Sequence, residues 1–151
     1  MDEPRAAPRV DFYIVPTSGP GERLKVACRI AEKAYHSDLR VVLVAPDEDE
    51  RRSLDELLWT FAEGSFVPHE RSDRGLDTSE VPVVLSDGAE PPGRIDVIIN
   101  LGESIPAFLE RTGRIAEVVD GDERRRSAGR ARFRIYRERG LEPATHNLRA
   151  D

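Results

Sequence analysis

Residues 40–59 read RVVLVAPDEDERRSLDELLW, and this stretch decides the fold. Val41 to Ala45 is an unbroken, largely β-branched apolar run, the pattern of a strand buried on both faces. Pro46 ends it. Asp47 then offers an N-cap, with Glu50 at capping-box spacing. Leu54, Leu57, Leu58 and Phe61 follow at i, i+3, i+4 and i+7, one apolar stripe of a helix. A fully apolar strand that runs directly into an amphipathic helix belongs to a parallel sheet covered by helices.

The same alternation continues on either side. Val10 to Val15 (VDFYIV) predicts a first strand, closed by the turn signals Pro16, Gly19, Pro20 and Gly21. Leu24, Ala27, Cys28, Ala31 and Ala34 recur at helical spacing as far as His36. Further strands are expected at Val81–Leu85, Ile95–Ile99 and Ile115–Val119. A short helix is expected over Ala107–Arg111 and a long one over Asp122–Gly140. Residues 70–80 and 86–94 read as surface loops. The expected fold is therefore α/β: a single domain over residues 10–141 with a mostly parallel, doubly wound, Rossmann-like sheet and helices on both faces. Residues 1–9 read as a disordered N-terminal segment and 142–151 as a loose C-terminal tail.

Composition narrows the function. The chain has 151 residues, 38% hydrophobic and 34% charged, enough for one core. No run approaches the ~20 apolar residues of a membrane helix, so no membrane partner is expected. The polar start MDEPRAAPR does not read as a signal peptide, and a cytoplasmic location is expected. The single cysteine, Cys28, excludes an intramolecular disulfide and lies on an apolar helical stripe, as a core thiol does. His36, His69 and His146 lack metal-ligand spacing. Gly19-Pro20-Gly21 is a turn rather than a phosphate cradle: both glycine-rich nucleotide motifs are absent, and Pro20 removes a backbone N–H. No cofactor, metal or catalytic residue is expected.

Charge is distributed unevenly. Asp122–Gly140 holds eight arginines and three acids, a local +5 in a chain of net charge −6. A basic island on an acidic protein points to a specific anionic partner. Take Arg126 as the zero of an ideal helix. Arg137 then falls at roughly 20°, Arg130 at roughly 40°, Arg134 at roughly 80° and Phe133 at roughly 340°. Ala128, Ala131 and Ile135 lie at about 140–200°, and this small apolar stripe is expected to face the core. Phe133 is then an exposed ring among Arg126, Arg130, Arg134 and Arg137. That arrangement suits a ligand with an apolar end and a carboxylate. The alternative is a ring packed under a loop beside a solvated arginine face. In the preceding helix, Trp59 falls off the leucine stripe, and Phe66, Val67 and Pro68 follow a Gly-Ser break. A tryptophan off the stripe beside an exposed Phe-Val-Pro suggests an apolar protein interface. The alternative is that Trp59 closes the core and Phe66 starts a strand.

Taken together, DFYIV at 11–15, RLKVACRIAEKAY at 23–35, RVVLVAPDEDERRSLDELLW at 40–59, SFVPHE at 65–70, IDVIINL at 95–101, EVVDGDE at 117–123 and RARFRIYRERGL at 130–141 resemble the chi subunit family of bacterial DNA polymerase III. The likeness spans about residues 10 to 148. It implies a non-catalytic adaptor that joins the clamp loader through a psi-like subunit and binds the acidic C-terminal tail of single-stranded DNA-binding protein. Single-stranded DNA would be reached only indirectly. The likeness places tail binding on Arg126, Arg130, Phe133 and Arg134, with Arg137 beside them. It places the psi-facing surface at Trp59, Phe66, Val67 and Pro68, a surface that a helicase-like protein could also use. Where the family is expected to show Tyr, this chain has Phe133, which keeps the ring and loses a phenolic hydrogen bond. The competing readings are direct nucleic-acid binding by the arginine helix, which the net charge opposes, and a nucleotide-binding Rossmann-like enzyme, which fold alone cannot support.

Overall fold

The computed structural model describes residues 7–60 and 66–149. Phe61 and residues 1–6 of the expected N-terminal segment lie outside them. In chain order the elements are β1 (Arg9–Ile14), α1 (Pro20–His36), β2 (Val41–Val44), α2 (Glu48–Thr60), β3 (His69–Arg71), β4 (Val83–Ser86), β5 (Val97–Asn100), β6 (Arg114–Val119), α3 (Glu123–Glu138) and β7 (Ala144–Asn147). Single 3-10 turns lie at Ser72–Arg74 and Leu109–Arg111, the latter where a short helix is expected.

The strands form one sheet in the order β3-β4-β2-β5-β6-β1-β7, and every pairing is parallel. Strand residues alternate strictly between two apolar layers, as a period-2 pleat requires. Val41, Leu43, Val83, Leu85, Val97 and Ile99 join Leu24, Ala27, Cys28, Ala31, Leu54 and Leu58 beneath α1 and α2. Val42, Val44, Val84, Ile98 and Ile115 join Phe12, Phe108 and Tyr136 beneath α3. Helices on both faces explain why β2, β4 and β5 carry no exposed residue. Cys28 is fully buried, and burial pushes its thiol up to about 12.

Two strands fall where a loop and a tail are expected. His69–Arg71 pairs with β4 as one edge of the sheet, and Ala144–Asn147, inside the expected tail, pairs with β1 as the other. Both are short, and β7 is almost wholly exposed, so neither carries a strong apolar signal. Side chains anchor them instead. Arg71 donates to Glu48 on α2 (2.7 and 3.0 Å) and to Asp73 (2.6 and 2.9 Å). His146 lies 2.8 Å from Asp11 on β1 and stacks on Tyr13. Asp47 caps α2 through the Glu50 N–H at 3.0 Å, while the Glu50 carboxylate pairs with Arg23 rather than completing a reciprocal box.

The helix α3 is rotated relative to its apolar stripe. Gly129, Arg132 and Tyr136 face the sheet, Ile135 is exposed and Ala128 and Ala131 are half-buried. The reason lies on β6. Glu117 is fully buried under α3 and accepts from Arg132 Nε at 3.0 Å, Tyr136 Oη at 2.6 Å and Asn100 Nδ2 at 3.1 Å. Arg132 also donates to the Glu103 carbonyl at 2.9 Å. At Gly129 a Cβ would stand 3.1 Å from a Val119 methyl, so the helix approaches β6 closely there. Burial raises the Glu117 carboxyl above its ordinary range, against the pull of Arg132 and the hydrogen bonds. Removing one member of such a buried pair strands the other charge and typically costs about 3–5 kcal/mol. Arg132→Ala is therefore expected to lose stability of that order in chemical denaturation. The double change Glu117→Gln, Arg132→Met leaves no orphaned charge and should lose clearly less.

Candidate interaction sites

Seven arginines lie within α3, and the helix sorts them by face. Arg124 pairs with Glu103 at 2.8 Å, Arg125 grips Asp120 with two bonds of 2.8 Å, and Arg132 is buried on Glu117. Arg126, Arg130, Arg134 and Arg137 are exposed, and their guanidinium groups have no partner among the described residues. Spaced by four, four and three residues, they form one solvent-facing row about 16 Å long. Unpaired cations in a row are a standing electrostatic attraction for an extended acidic ligand.

Phe133 lies beside this row, but not as a free ring. It is half-buried and packs on Phe12 of β1, with ring centroids 5.2 Å apart and planes tilted by 55°. Phe12 in turn meets the edge of Tyr136 at 6.0 Å. The expectation that Phe133 points away from the core is therefore corrected: it occupies the margin between the buried face and the arginine row. Leu141 packs into the same apolar layer. The exposed part of the phenyl ring and the guanidinium row share one edge of α3.

The start of α3 is fixed by carboxylates. Asp122 accepts the Arg125 N–H at 3.0 Å, and Asp120 accepts the Asp122 N–H at 3.1 Å while holding Arg125. Acids at a helix N-terminus also complement its dipole. Burial raises the Asp120 carboxyl, but the Arg125 hydrogen bonds, the Asp122 N–H and the charges of Arg125 and Arg23 outweigh it and hold the group below its usual range.

A second site lies at the end of α2. Trp59 and Phe66 are 56% and 52% exposed and pack on one another, with ring centroids 4.7 Å apart and planes tilted by 36°. Two large aromatic side chains more than half in water, in mutual contact, form an apolar knob on an otherwise polar surface. Val67 does not belong to it, since its side chain is fully buried in the layer beneath α2; Pro68 is half-buried. The chain alternates here, with Phe66 out and Val67 in, as it enters β3. Beneath the knob lies His69, buried, with its ring 5.1 Å from Trp59 in a T-shaped contact. The sequence offers a faint signal for this partner: a histidine two residues after an inward valine falls on the same side of an extended chain.

The carboxyl ends of β2 and β5, paired as far as Val44 and Asn100, open onto a cleft lined by Pro46, Asp47, Asn100 and Glu103 with Arg23, Arg125 and Arg132. Acids cap the helices that open toward it, and its arginines already have partners. Among the described residues no cluster of His, Cys, Asp and Glu could hold a metal, and no helix is long and apolar enough to cross a membrane.

Comparison with known proteins follows this architecture. A family model described as DNA polymerase III chi subunit, HolC, matches residues 8–144. The DNA polymerase III subunit chi of Pseudomonas aeruginosa is 41% identical over 140 residues, covering 93% of this chain and 96% of the relative. The subunit of the same name from Haemophilus influenzae is 27% identical, covering 94% and 99% of the two chains. That of Escherichia coli is 27% identical, covering 78% and 80%. A solved DEAD box protein from Methanococcus jannaschii shares the fold, with a TM-score of 0.63 at 11% identity; the match covers 93% of this chain and 42% of that one.

The Asp120–Arg125 pair makes a pH prediction. A carboxyl whose folded pKa is depressed stabilises the fold above its unfolded value near 3.9, and this is lost as pH falls through the folded value. Melting temperature should therefore fall less steeply from pH 5 to pH 2 in Asp120→Asn than in the parent. Parallel slopes in a calorimetric series would show that the pair contributes nothing.

Proposed function

Since the chain belongs to the DNA polymerase III chi subunit family, we propose that it is a non-catalytic replication adaptor with two protein-binding surfaces. On α3 it binds the acidic C-terminal tail of single-stranded DNA-binding protein. On the Trp59–Phe66 knob it binds a psi-like subunit of the clamp loader. The observation that carries this reading is the row of four unpartnered guanidinium groups beside the half-exposed Phe133.

Chemistry links the row to its ligand. About 16 Å of helix matches about five residues of extended chain. Aspartates of an acidic tail lie along Arg126, Arg130, Arg134 and Arg137, and its terminal phenyl group rests against the exposed edge of Phe133. The terminal carboxylate takes a bidentate fork from Arg130 or a neighbour. Hydrogen bonds to charged groups contribute about 1.5–3 kcal/mol each. A micromolar site needs about 8 kcal/mol net, so a few such contacts and one covered ring suffice. The free guanidinium groups lose no internal ion pair on binding, which favours the exchange. Direct attraction to nucleic acid is opposed by the chain's net charge of −6.

The knob suits a different partner. Aromatic side chains at the centre of an interface supply much of its affinity. Trp59 and Phe66 already hold one another, so little side-chain freedom remains to be lost when a partner covers them.

Arg130→Ala is expected to weaken binding of an acidic peptide ending in Phe by about tenfold or more, about 1.4 kcal/mol, in a calorimetric titration. Unchanged affinity would remove the α3 mechanism. A gel shift on bare single-stranded DNA, with and without its binding protein, should show association only when that protein is present. Phe66→Ala should reduce co-purification with a psi subunit while peptide affinity is retained; loss of both together would indicate unfolding instead.

A further inference from the structure

His69 has an acceptor at each ring nitrogen. Nδ1 lies 2.7 Å from the Val67 carbonyl oxygen, and Nε2 lies 2.9 Å from Asp55 Oδ1. A carbonyl oxygen and an ionised carboxylate only accept. A neutral imidazole has one N–H, so one of the two contacts would set lone pair against lone pair; an imidazolium donates to both. The His69 side chain is fully buried, so water does not supply the missing donor. Its ring also packs in a T-shaped contact against Trp59. Asp55 and Trp59 are four residues apart on α2 and so share a face, and the one ring braces both.

The surrounding charges leave this arrangement to Asp55. From α2 the ring meets Asp55; from β4 it meets Val83, its uncharged register partner. On β3 the next residue of the same face is Arg71, held by Glu48 and Asp73, with Arg51 joining the same carboxylates. Among the described residues, Asp55 is the one carboxylate bonded to the ring.

We propose that His69, in its doubly protonated form, is the positioning residue of the Trp59–Phe66 surface and makes partner binding there dependent on pH. The proposal rests on the reading of that surface as a partner interface. Loss of the proton breaks the tie to Asp55 or to Val67, the ring loses its fixed orientation, and the indole above it loses its support. The surface is therefore best formed while the ring holds both protons, and it loosens as pH rises and one of them is lost.

The chain has one tryptophan, so its emission reports on this site alone and needs no partner. The full-length protein is titrated from pH 5 to pH 9, with far-ultraviolet circular dichroism as the check on folding. A step in Trp59 emission is expected, and it should vanish in His69→Gln. In Asp55→Asn the carboxamide can donate or accept, the need for a charged ring is relieved, and the step should move to lower pH. Emission that stays flat in the parent, a step that survives in His69→Gln, or an unmoved step in folded Asp55→Asn would overturn the proposal. Affinity for a psi subunit should then be at least threefold weaker at pH 8.5 than at pH 6 in the parent and level in His69→Gln. Equal parent affinities at the two pH values would overturn the regulatory role. Absence of psi binding at either pH, with the emission step intact, would overturn the interface reading and leave the positioning of Trp59 standing.

Discussion

The buried pair between Glu117 and Arg132 sets the geometry of the exposed arginine row. A carboxylate on an inner strand of a parallel sheet is costly to bury unless several donors reach it. Here Arg132, Tyr136 and Asn100 all do. Two of those donors come from α3, four residues apart, so the helix has one rotational setting that satisfies the carboxylate. In that setting Arg132 points inward and Arg126, Arg130, Arg134 and Arg137 point outward. Gly129 permits the close approach that the setting requires. A polar contact under the sheet thus determines which cations the surface presents.

The arginine helix shows how one residue type serves opposed roles. Arg132 is spent in the interior on Glu117, and Arg125 and Arg124 tie the first turn of α3 to Asp120 and Glu103. The remaining four make no ion pair or hydrogen bond through their guanidinium groups with a described residue. A solvated arginine row contributes little to stability by itself. Its value lies in the field it maintains along one edge of the helix, next to an aromatic ring that cannot retreat because Phe12 lies behind it. In the proposed tail site the backed ring and the unpaired charges are in place before a ligand arrives, which lowers the cost of binding. The rings at the end of α2 are backed in another way, with His69 packed beneath Trp59.

The layered sheet is legible in the sequence because its signals are local. An apolar run of strand length followed by a capped amphipathic helix, as at residues 40–58, has few other ways to bury itself. The edge strands are not legible. His69–Arg71 has charged or polar side chains at every position and Ala144–Asn147 is nearly all exposed, so both depend on neighbours distant in sequence, Glu48 and Asp11. The facing of α3 escapes the sequence for a related reason. Hydrophobic periodicity assumes that the inward residues are apolar, and here they are Gly, Arg and Tyr. The Glu117 that draws them inward lies within an otherwise apolar strand, and nothing in α3 announces it.

Residue order alone was enough for the α/β class, the positions of the principal strands and helices, the family, and the accumulation of arginine near the C-terminus. These are matters of composition, order and short-range period, which a chain carries without folding. It took the folded chain to show which arginines are unpaired, that Phe133 sits at the rim rather than in the open, that Val67 turns inward from Phe66, and that the His69 ring packs against Trp59. Each of those follows from contacts between residues that the chain holds apart until the sheet assembles.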